Sequence, residues 1–289
     1  MEIRYWDSRA PFYQDKDTRD GYLWEPESAL PLIRFHSLDD LDWLAAACST
    51  RRGGVSTGFL AELNLGWSRG DVPENVPVNY RRVVERMGFR LEDLALTHQV
   101  HGTSIVTVDR KLTVGPSFER KIRETDGLVC DQPGILLSAT FADCVPVYLA
   151  DPVSRQIALV HSGWKGTVGK IGEKAVELLA SRGADVRALR AVIGPCISGG
   201  HYEVTGDVIE ALSAGFSREE MADIALRTDE IHWLCDLPAA CWHTLRKAGV
   251  AEENIHFSGI CTWENDSLLF SHRKTGGRRG NFNAFMGIR

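Results

Sequence analysis

A thiol and an imidazole stand close together in the stretch FADCVPVYLADPVSRQIALVHSGWKGT, Phe141 to Thr167. Cys144 opens one hydrophobic run and His161 closes the next. The runs read as two strands, and the Asp-Pro between them is a good turn starter. A four-residue turn, DPVS, would set Ala150 opposite Arg155. The same register sets Cys144 opposite His161, on one side of the sheet, with Cβ atoms about 5 Å apart. Asp143 reads as structural, because a strand neighbour points to the opposite face. The Gly-rich turn HSGWKGT precedes a helix, and such an N-terminus, with Lys165 beside it, favours anions and draws a thiol toward thiolate.

A third donor lies upstream in THQVHGTSI, where His98 and His101 sit at the end of a strand-like run. One Cys and two His leave a tetrahedral zinc with one open position, as in catalytic sites. Spacing alone does not choose between the two histidines. Without metal, the same residues read as a hydrolase or deamidase, with Cys144 as nucleophile and His161 as base. A structural zinc in a non-catalytic protein would need a fourth protein ligand, for which Cys196 is the candidate. A multicopper oxidase needs many imidazoles, largely as His-x-His pairs; the chain has nine histidines and no such pair.

These residues must be held by a fold, and the bulk numbers bound it. The 289 residues are 44% hydrophobic and 25% charged, ordinary for a globular chain with ample core. A net charge of -6 gives no sign of nucleic-acid binding. The charged N-terminus lacks a signal-peptide core, and no apolar run reaches bilayer length, so no membrane partner is expected and a cytoplasmic location is. The seven cysteines are widely spaced with no C-x-x-C, which argues against a zinc knuckle or redox dithiol.

Strand-like and helix-like stretches interleave to the end of the chain, which favours one mixed α/β domain over residues 1–289, with residues 1–39 as an irregular or hairpin-forming lead-in. Apolar periodicity predicts helices in NVPVNYRRVVERMGF, VGKIGEKAVELLASRG, GDVIEALSAGF and LPAACWHTLRKAGV. Strands are expected in LAAACST, LALTHQV, SIVTVD, GILLSAT, VPVYLAD, QIALVH, LRAVIG, IHFSGI and SLLFSHR.

In order along the chain stand STRRGGVSTG, NLG, GDVPENV, QVHG, DGLV, ADCVPVYLADP, ALVHSGWKGT, IGPCI, YEV and CTWENDSLLFSHRK. Together they resemble the YfiH/YlmD family, also called the laccase-domain or polyphenol-oxidoreductase family, over roughly residues 40 to 289. The resemblance implies an α+β fold of two mixed sheets packed face to face with helices outside, similar to bacterial toxin deamidases that use Cys and His. It implies zinc held by His101, Cys144 and His161. It implies purine nucleosides and inorganic phosphate as substrates: phosphorolysis of adenosine, inosine, guanosine and methylthioadenosine, and deamination of adenosine. The tail SHRKTGGRRG is more basic than the family's usual one. Phosphorolysis needs an oxyanion pocket, for which Arg51, Arg52, Lys165 and Arg273 are candidates, since guanidinium groups bind phosphate bidentately. Asn64 is a candidate for sugar or base. The zinc nucleobase-deaminase signature, H-x-E together with P-C-x-x-C, is absent, so deamination would be built differently.

Overall fold

The structure is a computed structural model and describes residues 2–6 and 11–289. Its strands are β1 (Gly21–Trp24), β2 (Leu32–Phe35), β3 (Leu44–Ser49), β4 (Leu94–Leu96), β5 (Ile105–Thr107), β6 (Gly127–Cys130), β7 (Leu136–Phe141), β8 (Val145–Ala150), β9 (Ile157–Ser162), β10 (Arg190–Ile193), β11 (Glu203–Thr205), β12 (Ala225–Arg227), β13 (His232–Cys235), β14 (Ile255–Phe257) and β15 (Phe282–Ile288). The helices are α1 (Asn75–Arg86), α2 (Trp164–Val168), α3 (Ile171–Ser181), α4 (Gly206–Ser213), α5 (Arg218–Ile224) and α6 (Leu237–Lys247).

Two six-stranded mixed sheets carry the fold, in the orders β1-β2-β3-β15-β7-β4 and β14-β10-β8-β9-β6-β5. A small sheet, β11-β13-β12, stands apart from them. Strand alternation shows how the layers stack. In β8 and β9, Tyr148, Ala150, Ile157 and Leu159 share a core with Phe141, Ala284 and Met286 of the other sheet. Their neighbours Val147, Leu149, Ala158 and Val160 face the opposite way, onto α3 and α6. The outer face of the first sheet is covered by α1 through Val76, Tyr80, Val83 and Val84, packed on Leu94, Leu136 and Phe285. The α+β architecture of face-to-face mixed sheets with outer helices is therefore the observed one.

The predicted helix VGKIGEKAVELLASRG is broken in two. Lys170 takes a left-handed conformation, φ 59°, between α2 and α3. SLLFSHR is a succession of turns rather than a strand, buried from Leu268 to Ser271, with Leu268 and Leu269 bonded back to the Asn265 carbonyl. The strand at the centre of the first sheet is instead β15, whose Ala284, Met286 and Ile288 face the inter-sheet core while Phe285 faces α1. Of the lead-in, β1 and β2 pair as an antiparallel hairpin that continues the first sheet.

The strand directions fix where function can sit. The chain passes between the two sheets from β4 to β5, from β7 to β8 and from β14 to β15, and it also crosses from β6 to β7. β4 runs parallel to β7, and β15 begins beside the end of β7, with Phe282 opposite Phe141. In the second sheet β8 starts, and β9 ends, at the same edge, with Val145 opposite Ser162. The first two crossings and the end of the third thus gather at one rim of the sandwich.

Candidate active site

His101 lies in the crossing from β4 to β5, Cys144 in the bend between β7 and β8, and His161 near the end of β9. Their Nδ1/Nε2 and Sγ donor atoms all fall within 4.8 Å of one another. The hairpin that joins Cys144 to His161 is real, but its register differs from the expected one. His161 is opposite Pro146, and the strands end at the pair Ala150–Ile157. The turn is longer than DPVS because Asp151 accepts the Val153 N–H through its side chain and the Arg155 N–H through its carbonyl. The displacement is two residues, which preserves the face of every side chain. Cys144 is consequently one pleat beyond His161, and Gly163 makes the close approach possible. A Cβ on Gly163 would stand 2.9 Å from His101 Cδ2 and 3.2 Å from Cys144 Sγ.

Asp126, immediately before β6, organises the corner. It is fully buried, and its Oδ1 lies 2.8 Å from His161 Nδ1. The same carboxylate accepts the backbone N–H groups of Val100, His101 and Gly102 at 3.1, 3.0 and 2.8 Å. One buried anion thus orients both imidazoles: His161 through the ring, and His101 through a backbone held at φ 60°. Gln99 fastens the same loop to the end of β7, donating to the Thr140 carbonyl and accepting the Thr140 N–H. Asp126 was visible in the motif DGLV, but no role was legible there.

The electrostatics follow from this packing. Burial alone would push the Cys144 thiol up; the positive His161 and hydrogen bonds from both imidazoles outweigh it and bring it down to about 6. Burial would depress His161, but the Cys144 thiolate and Asp126 raise it to about 9. The corner favours a thiolate facing a cationic imidazole, the polarity that a bound cation would take over. A thiolate and two imidazoles in reach of each other, one imidazole backed by a carboxylate, suit zinc. His98 lines the adjoining cavity but is not in the donor group. Cys196 is a buried free thiol outside the group, next to Cys261 only through backbone pairing, so it supplies no fourth ligand.

The triad opens into a cavity of about 480 Å³. Of the expected substrate residues, Arg273 lines it; Arg51, Asn64 and Lys165 do not. Arg51 gives its guanidinium to the carbonyls of Ala61 and Asp266 and stacks 4.4 Å from the Phe270 ring. Asn64 is fully buried, its amide bonded to both backbone groups of Gly66, to Asp71 and to the Asn281 N–H. It shapes a loop and touches no cavity. Lys165 is exposed on α2, a helix of five residues, so the Gly-rich turn serves the site by giving room. Arg52 is engaged at its own loop, near Glu62. Asp143 is in a bend with φ 90°, not in a strand; it accepts the Thr262 hydroxyl and the Arg273 N–H, each at 2.6 Å, and lines the cavity.

Cavity cations that the sequence reading passed over are Arg69, Arg120 and Arg279. Arg279 is buried, and its Nη2 lies 3.3 Å from His272 Nδ1, also on the cavity wall. Arg120 lies 5.2 Å over the ring of Trp67, a half-exposed aromatic at the same cavity.

The comparisons agree with this geometry. Residues 45–289 match the family model described as multi-copper polyphenol oxidoreductase laccase. A purine nucleoside phosphorylase of Deinococcus radiodurans is 38% identical over 259 residues, covering 90% of this chain and 93% of that one. The adenosine deaminase RL5, from an unknown prokaryotic organism, is 33% identical over 84% of this chain and 92% of its own length. The crystal structure of YlmD from Geobacillus stearothermophilus superposes with a TM-score of 0.86 at 32% identity, over 93% of this chain and 99% of that one. With its fold, its motifs and its His–Cys–His corner in agreement, the chain belongs to the YfiH/YlmD, or laccase-domain, family.

Proposed function

We propose that this protein is a zinc-dependent purine nucleoside phosphorylase, cleaving the N-glycosidic bond of adenosine, inosine or guanosine with inorganic phosphate. Methylthioadenosine and the deamination of adenosine fall within the same reading, as does a cytoplasmic location. The chain is taken as one domain: β1 and β2 extend the first sheet, and Trp6 and Tyr13 pack in the core beneath the second. The observation that carries the function is the shared cavity, which places a thiolate–imidazole donor set beside a wall of arginines.

His101, Cys144 and His161 would hold the metal; as a Lewis acid, bound zinc supplies polarisation of an oxygen or a leaving group. The remaining work falls to the protein's own groups. Asp126 keeps the His161 ring in one orientation and one tautomer by binding Nδ1, so that Nε2 is the atom turned to the corner. The cationic wall attracts an anionic nucleophile into the cavity. Trp67 and Tyr202 offer aromatic surface for a purine at the same cavity.

One observation favours a second reading. Asp126, His161 and Cys144 are ordered as orienting acid, base and nucleophile, the constellation of a metal-free hydrolase. That reading gives His101 no task, although the fold brings it into the same donor group. The test is product analysis. With inosine and phosphate, hypoxanthine and ribose 1-phosphate should form in equal amounts, with no turnover when phosphate is omitted. Free ribose formed at the same rate without phosphate would show a hydrolase and overturn the proposal.

A further inference from the structure

The cavity wall holds the one buried arginine among the described residues, Arg279. Several arginines elsewhere have an acidic partner: Arg34 with Asp39, Arg90 with Glu92 and Asp93, Arg110 with Asp93, Arg182 with Asp131, Arg190 with Asp40. Among the described residues Arg69, Arg273 and Arg279 have no carboxylate within ion-pair distance, although Asp143 lies in the same cavity with its oxygens bonded to Thr262 and the Arg273 backbone. Arg279 is the sharpest case. It is 7% exposed, and its five N–H groups meet only two acceptors, the Gly280 carbonyl and His272 Nδ1, leaving Nε buried without one. Burial and the neighbouring Arg69 pull it down to about 10.

Burying a guanidinium beside another, with Asp143 and Cys144 acting on it but no carboxylate within ion-pair distance, is costly, and a bound anion would offset that cost. The local bonds also aim this one. Arg69 gives Nε to Asn281 Oδ1 at 2.8 Å, which leaves both terminal nitrogens without a protein acceptor among the described residues. Asn281 is itself held by Asn64 and by the Phe141 carbonyl, so the loop bearing Arg69 is tied to the end of β7. Arg279 can only donate, so His272 Nδ1 must accept, and the proton of the neutral ring sits on Nε2. Burial and the charges of Arg279, Arg69 and Arg273 push His272 down against the opposing charge of Asp143, which favours the neutral ring. The result is two planar forks and one N–H donor, a set matched to the oxygens of a tetrahedral dianion.

We infer that Arg69, Arg279 and His272 form the binding site for inorganic phosphate, in the cavity that also holds the His–Cys–His corner. What the bound phosphate then does rests on the phosphorylase reading above; that it binds there does not. The same donors could meet a phosphate carried on a nucleoside 5′-oxygen, and the experiment separates the two sources.

The measurement is a titration of the protein as purified with inorganic phosphate, followed by calorimetry or phosphorus NMR. Wild type should bind one phosphate saturably. Arg69→Gln, at a half-exposed position where folding is easily verified by circular dichroism, should weaken it roughly ten- to hundredfold, the loss of a charge-assisted contact. Arg69→Lys should recover part of the affinity, and Arg279→Lys should lower it without abolishing it. Adenosine 5′-monophosphate should displace phosphate no better than adenosine does. Unchanged phosphate affinity in folded Arg69→Gln would overturn the site. So would Arg69-dependent binding of the monophosphate with no binding of free phosphate. Phosphate bound and lost with Arg69, yet no ribose 1-phosphate made, would leave the site standing and remove the phosphorylase reading. Ribose 1-phosphate made with an unchanged phosphate KM in Arg69→Gln would remove the site and leave the reading.

Discussion

The cavity has two functional regions built on opposite principles. At the His–Cys–His corner the groups are drawn together: Asp126 satisfies one imidazole and three backbone N–H groups, and the thiolate faces two rings. At the arginine wall the charges are left over. The corner hangs on strand ends and sheet crossings, so its geometry follows from the register of β8 and β9. The wall hangs on the loops around Arg69 and between β14 and β15. On the proposed reading, the corner gathers lone-pair donors that would meet a cation, and the wall keeps N–H donors that would meet an anion.

The largest effects should come from the corner. His101→Ala and His161→Ala should lose both zinc and activity. Cys144→Asp should keep detectable zinc, because a carboxylate bonds zinc at about 2.0–2.2 Å against about 2.3 Å for a thiolate, and should show weak activity that rises with added zinc. Zinc content and turnover of the three variants measure this. A Cys144→Asp protein with full zinc and no activity at any zinc concentration would move Cys144 to the nucleophile's role.

Asp126→Asn comes next. The amide can still reach His161 but no longer carries the charge, so zinc affinity should fall about ten- to a hundredfold, as read by competition with a chelator. Phosphate affinity at the wall should change little, and a comparable loss there would show that the two regions are not separable. Gly163→Ala tests the corner's sterics. Its Cβ would press on His101 and Cys144, so melting should show a loss of about 1–3 kcal/mol, with weaker zinc retention. A fully stable variant with normal zinc content would mean that the corner can yield.

The smallest effect lies outside both regions. Asp236 caps α6, accepting the Ala239 N–H and the Tyr13 hydroxyl, and burial raises its carboxyl to about 6. A group raised in the folded state adds stability below its unfolded value near 4, and that contribution is lost as pH climbs through the folded value. Asp236→Asn should therefore gain on wild type between about pH 4 and 6, by an amount on the order of 2 kcal/mol or less. Urea melts across that range check the slope, and a flat difference would contradict the raised value.

How much of this was legible follows the same division. Cys144 and His161 are close in sequence and joined by one turn, so alternation alone placed them on one face, and an error of two in register left that face unchanged. His101 became specific through the family resemblance. Asp126 makes its contacts 24 to 35 positions away, beyond any periodicity. The wall was misread because an arginine that feeds carbonyls, such as Arg51, and one that lines a cavity, such as Arg69, look identical as letters. Asn64 misled for a related reason: turn-building and ligand-binding use the same amide. The basic tail SHRKTGGRRG did carry a signal, and it delivers His272, Arg273 and Arg279 to the cavity. The strand β15 escaped notice because Asn283 and Gly287 interrupt its apolar run.

Zinc K-edge X-ray absorption on the purified protein tests the central claim most directly, because it reads the ligand atoms themselves. The account predicts one sulfur at about 2.3 Å with two imidazole nitrogens at about 2.0–2.1 Å, and loss of the sulfur shell in Cys144→Asp. A zinc shell without sulfur in wild type, or no zinc after purification free of chelator, would contradict it and hand Cys144 to the hydrolase reading.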